Sequence, residues 1–184
     1  PAERFFVEAE RVAHPLWTSW DRAAFYHRRN DPEKFWYWAR QALEISYEDP
    51  SPLFQMCWKM STDAHEILSR GIPNRPVVLI QYLSFLMESH FEAAGPVAGM
   101  VLERGSKDGS KDGSKNGVPV LLTYCDRLIR AHESTAAVQI WNGLCARKLI
   151  PFTALKPGAG IPVNNGHFAL PTLEQGIPAQ FGSF

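Results

Sequence analysis

The sequence has no excess of either charge: nineteen Lys and Arg stand against nineteen Asp and Glu. A nucleic-acid binder draws much of its affinity from neutralising phosphates, so this balance excludes nucleic acid as the expected partner. Cysteine is scarce. Cys57, Cys125 and Cys145 are odd in number and show no Cys-x-x-Cys spacing, which argues against a disulfide framework or a thiolate zinc site. Each lies in an apolar helical stretch, where a thiol behaves as a small hydrophobe. No run approaches the roughly twenty apolar residues that span a bilayer, so no transmembrane segment is expected. The chain starts at Pro1 with no apolar leader, as expected of a processed or trimmed product. Phosphate-binding loops, dinucleotide fingerprints and the Gly-x-Ser-x-Gly elbow are missing. His65-Glu66 lacks the second His that a zinc-protease helix places four residues later. Asp21-Arg22 and Asp126-Arg127 read as helix-surface charges. The expectation is a non-enzyme with no metal and no cofactor.

What is present is a repeat. Hydrophobic residues make up 45% and charged residues 21%, the range of a globular protein. Pro76 to Arg104 aligns without a gap on Pro119 to Arg147, forty-three places later. Val77 meets Val120, Leu79 meets Leu122, Phe85 meets Leu128, and Ala93-Ala94 meets Ala136-Ala137. Each copy reads as an apolar helix, a polar break (88–90; 131–133) and a second helix opened by a small pair. Self-similarity of this kind marks stacked helical hairpins.

The earlier part of the chain follows the same plan. A short amphipathic helix is expected over 2–13 and a longer one over 16–29. Asn30-Asp31-Pro32-Glu33 restarts the helix with a capping side chain and a proline in the first turn, predicting helix over 34–46. A second, shorter pair is expected at 53–60 and 65–69, with Glu66 and Thr62 forming a capping box and Gly71 ending the last helix. Residues 105–117, Gly-Ser-Lys-Asp in tandem, contain no apolar side chain and read as a flexible insert within the helical region 1–150. Without most of it the period falls to roughly the low thirties. The Pro/Gly-rich stretch 151–184 reads as an extended tail with one strand near Gly166 to Leu170. Its apolar residues suggest that 151–170 cap the last helix, because a repeat array must cover its terminal face.

A period near thirty-four built from helix pairs resembles the tetratricopeptide repeat. Ala94 and Ala137 match that family's small residue on the second helix, Ala98 and Trp141 stand four places on, and Val101 and Leu144 follow. Asn30-Asp31, Phe35, Ala39 and Ala42 resemble the same second helix. On the first helices Val78, Gln81 and Tyr82, then Leu121, Tyr124 and Cys125, replace the family's Trp, Leu and Gly. The Val163 to Phe168 segment, with Pro171, resembles the opening of a carbohydrate-binding-like β-sandwich that follows such arrays in bacterial proteins. The resemblance implies an all-α, TPR-like solenoid of about four helical hairpins with an extended tail, in the bacterial cytoplasm or cell envelope.

From these readings the expected function is a non-catalytic protein-interaction scaffold, or a structural subunit of a larger assembly that can include a membrane complex. Its partner would be a peptide or a neighbouring subunit. Exposed contact positions are expected on first helices at Tyr26, Arg29, Gln81, Ser84, Glu88, Tyr124 and Arg127. The alternative is glycan binding through exposed aromatics of the N-terminal half: Trp17, Trp20, Trp36, Tyr37 and Trp58.

Overall fold

The computed structural model describes residues 15–46, 49–104 and 113–156, with side chains in the helical segments from Thr18 and from Gly117. Eight α-helices follow in order among them: α1 Pro15–Arg28, α2 Pro32–Ile45, α3 Ser51–Met60, α4 Ala64–Glu66, α5 Pro76–Ser89, α6 Ala94–Arg104, α7 Gly113–Arg130 and α8 Ser134–Ala146. α4 runs on into a π-helical turn, Ile67–Gly71, and a 3-10 turn, Phe91–Ala93, leads into α6. The described residues contain no strand, and the protein is all-α as expected. No helix among them is long and apolar enough to cross a membrane. The expected helix over 2–13, residues 105–112, and the tail beyond Lys156, with its strand, lie outside the described residues.

Local chemistry sets the helix ends. α1 stops where Asn30 takes a left-handed φ of 52°, a conformation that Asn tolerates better than most residues. Asp31 then caps α2, its carboxylate accepting the Lys34 N–H at 3.3 Å, with Pro32 in the first turn. At α4 the capping differs from expectation. Asp63 accepts the His65 N–H at 2.8 Å, while Ser61, not Thr62, donates its hydroxyl to Glu66 at 2.7 Å. α7 begins earlier than expected, at Gly113, so that 113–117 of the polar insert belong to the helix and Pro119 falls inside it. Its missing N–H removes one intrahelical bond there.

The chain divides into two compact units, residues 1–85 and 86–184. In the first, α2 turns Phe35, Trp36, Ala39, Ala42 and Leu43 inward. Leu53, Phe54 and Cys57 of α3 and Ile67 are fully buried with them. Phe54 meets the rings of Tyr82 at 4.9 Å and Phe85 at 5.5 Å. Gly71 ends the helical run, as expected, and serves this core as well: a Cβ there would stand 3.0 Å from the Trp36 ring. Arg70 spans the surface above, bonding Glu33 at 2.7 Å and Glu66 at 3.0 Å.

In the second unit α7 and α8 double back on each other. The Cys125 thiol points at the carbonyl of Ala137 at 3.7 Å, and neither residue is exposed at all. A small side chain at 137 permits that approach. Leu102 of α6 fills the space that Gly143 leaves bare, where any Cβ would collide with its Cδ2. Ala137→Leu is therefore expected to overpack the α7–α8 contact and cost about 1–3 kcal/mol. An unchanged urea midpoint would remove the close-packing argument.

Candidate functional site

The expected contact residues separate into two groups. Tyr26 and Tyr124 are buried, 7% and 4% exposed, and correct the expectation that they face a partner. A phenol carries a large apolar ring behind its polar tip, so packing can claim it wherever neighbours are aromatic. Tyr26 lies edge-on to Phe25 at 5.1 Å with the Lys34 ammonium 5.0 Å over its ring. Tyr124 packs on Phe91 at 5.7 Å, with Gly95 beside its hydroxyl. Gln81 and Ser84 are half-buried, and the Ser84 hydroxyl donates back to the Ile80 carbonyl at 3.1 Å. Arg29, Glu88 and Arg127 are exposed as expected.

Among the aromatics proposed for glycans, Trp36 is buried at 3% exposure, contrary to expectation, because it faces inward over Gly71. Its indole N–H meets no acceptor. Trp20 and Trp58 are half-buried, and the Trp17 side chain lies outside the described residues. Among the four whose side chains are described, Tyr37 is the exposed one, at 58%. It meets Trp38 edge-to-face at 4.9 Å, and the Arg22 guanidinium covers the Trp38 ring at 4.2 Å.

Arg127 belongs to an open cleft of about 420 Å³ in the second unit, lined by Phe91, Arg127, Arg130 and Ala131. The helical period places Arg127, Arg130 and Ala131 on one face, three and four residues apart. The end of α7 is closed by local bonds. The N–H groups of Ala131, His132 and Glu133 donate to the carbonyls of Arg127, Ile129 and Leu128, with His132 at a left-handed φ of 61°. The 3-10 turn contributes Phe91 to the lining.

The electrostatics of the cleft are asymmetric. Arg130 pairs with Asp126 at 2.5 Å. Arg127 donates one N–H to the carbonyl of Met87, which orients the guanidinium and uses one of its five donors. The C-terminal dipole of α7 favours both cations. The lining thus combines an aromatic ring, a methyl group and a guanidinium bonded to main chain, a set suited to a carboxylate beside an apolar group. The sequence reading found Arg127 but missed Phe91, Arg130 and Ala131. The recurrence of Arg at a three-residue step was the one available signal.

A second arrangement joins α8 to the residues after it. Trp141, fully buried, donates its indole N–H to the carbonyl of Thr153 at 3.3 Å and faces Phe152 with ring centres 5.6 Å apart. The Asn142 amide donates to the Leu155 carbonyl at 2.8 Å and accepts the Leu155 N–H at 2.6 Å. The start of the tail therefore packs on the last helix, as its apolar composition suggested. Nothing in the sequence singled out Asn142.

The three thiols form no disulfide. Burial pushes Cys57 and Cys125 up to about 12 from an ordinary 9.0, while Cys145, half-buried, is raised by the same cause. The thiolate is the reactive form. An alkylating reagent at pH 8 is expected to modify Cys145 well ahead of the other two in the native protein; equal labelling by peptide mapping would contradict this packing. A thiol whose folded pKa is raised supports the fold below the unfolded value. Its contribution falls as pH rises from about 9 towards about 12.

No group of three or more His, Cys, Asp or Glu side chains that could hold a metal occurs among the described residues. Comparison with protein-family models, with curated proteins and with solved structures returns no match.

Proposed function

We propose that this chain is a non-catalytic protein-interaction scaffold, a TPR-like stack of about four helical hairpins that docks a partner peptide through an acidic group. The carrying observation is the cleft of Phe91, Arg127, Arg130 and Ala131. Its Arg127 guanidinium bonds a backbone carbonyl, which orients it towards an arriving anion. Phe91 and Ala131 offer apolar surface to the residue beside that anion. An interface anchored by an aromatic and an arginine is the common composition of a binding hot spot.

A random-peptide display selection tests this. Enriched peptides are expected to carry Asp, Glu or a C-terminal carboxylate next to a large apolar residue. Arg127→Ala should weaken them about tenfold or more, the worth of a charge-assisted bond, with unchanged helical circular dichroism. Enrichment without acidic groups, or an Arg127→Ala chain that binds as tightly, would sink the reading.

One observation favours glycan binding as a second reading: the exposed ring of Tyr37. It ranks lower because Arg22 already occupies the neighbouring Trp38 ring, leaving no continuous aromatic platform. A glycan array signal that disappears with Tyr37→Ala would reverse that order.

A further inference from the structure

The grip of α8 on the chain that follows it is unusual in what it reads. A side-chain amide has the donor and acceptor of a peptide unit. Asn142 presents both to the N–H and carbonyl of one residue, Leu155, as a neighbouring strand would. Trp141 adds a third bond, again to main chain, at the Thr153 carbonyl. The one side chain that is enclosed is Phe152, 8% exposed and set against Trp141. Thr153 and Ala154 face solvent, and Leu155 is half-buried.

Recognition of this kind is indifferent to most of the sequence it holds. Three bonds read main-chain groups, and one pocket reads an aromatic residue three places before the gripped residue. The chain reaches the site through a tight reversal. Leu149 N–H donates to the Leu144 carbonyl at 3.0 Å and Lys148 takes a left-handed φ of 55°. So short a connection holds the segment at a high effective concentration, in the millimolar range for short flexible linkers. The occupant is nevertheless held by groups that any extended peptide possesses.

We propose that the Trp141–Asn142 face of α8 is a binding site for extended peptides of the form aromatic-x-x-aliphatic, filled in cis by Phe152–Leu155 and open to a partner's segment when this strap is displaced. The site goes beyond the arginine cleft and shares no residue with it. Loss of acidic-peptide binding at Arg127 would leave it standing, and its own failure would leave the cleft standing.

The test uses the full chain and a fluorescent hexapeptide with the sequence of residues 151–156, Pro-Phe-Thr-Ala-Leu-Lys. In the strap-released double variant, Phe152→Ala removes the pocket side chain and Leu155→Pro removes the N–H that Asn142 accepts. The peptide is expected to bind this variant about 100-fold tighter than the wild type, whose own strap competes. Adding Asn142→Ala should then cost about tenfold or more, the worth of two hydrogen bonds. A helical strap-released chain that ignores the peptide, or one indifferent to Asn142→Ala, overturns the proposal. A wild-type measurement covers the case of a variant that fails to fold. Millimolar peptide should speed hydrogen exchange at the Leu155 amide several-fold by displacing the strap, and an unchanged rate overturns the proposal equally. A wild-type chain that dimerises with concentration yet refuses the peptide would place a second copy in the groove, and would also overturn it.

Discussion

Trp141→Ala is expected to destabilise the protein by about 3–5 kcal/mol, among the largest losses a single core substitution produces. The indole is fully buried in the second unit, so truncation opens a cavity that its neighbours fill only in part. Two further contacts go with it, the bond to the Thr153 carbonyl and the ring contact with Phe152. Against a typical stability of about 5–15 kcal/mol, the remainder would be small. Urea denaturation should show the midpoint falling with little change in slope. Limited proteolysis should show cleavage after 150 appearing early. A midpoint shift worth under about 1 kcal/mol would mean that this side chain does not fill the space assigned to it.

Phe54→Ala should produce a loss of similar size in the first unit, about 3–5 kcal/mol. Phe54 is fully buried and contacts both Tyr82 and Phe85. Pairs of this tilted geometry contribute beyond the area they cover, by about 0.5–1.5 kcal/mol. Phe54→Leu keeps most of the volume and should cost clearly less, which separates cavity formation from loss of aromatic contact. Near-ultraviolet circular dichroism provides the check, because the Tyr82 ring loses its fixed neighbour in both variants. If alanine and leucine were equally tolerated, α3 would not be packed on α5 through this residue.

Much of the helical outline was legible because helix ends are decided within a few residues. Asn30, Asp31 and Pro32 each act on their own turn of backbone, and the structure starts α2 where they require. The break at His90 and the small residue at Ala137 were equally readable. Three- and four-residue spacing of apolar positions identified Phe35, Trp38, Ala39, Ala42 and Leu43 as one face of α2; all but the half-buried Trp38 are buried, but Trp36, read as facing the other side, is buried with them.

Burial at helix margins and the composition of sites were decided by tertiary structure. A helix sequence states which face is apolar, but not how far a neighbour extends over its edge. Tyr26 and Tyr124 were placed outside on that incomplete information, and aromatic neighbours and the missing side chain at Gly95 enclose them. Gly71 ends its helical run, as its sequence neighbours suggested, but the lack of room for a side chain there comes from Trp36, thirty-five positions earlier. The cleft needs Phe91 beside Arg127, and Asn142 acquires meaning from a main-chain unit thirteen residues away. The sequence by itself therefore determined an all-α chain with known stops and starts, because those rest on near-neighbour backbone chemistry. Only packing decided which polar groups face each other, because that depends on where separate helices bring their side chains to rest.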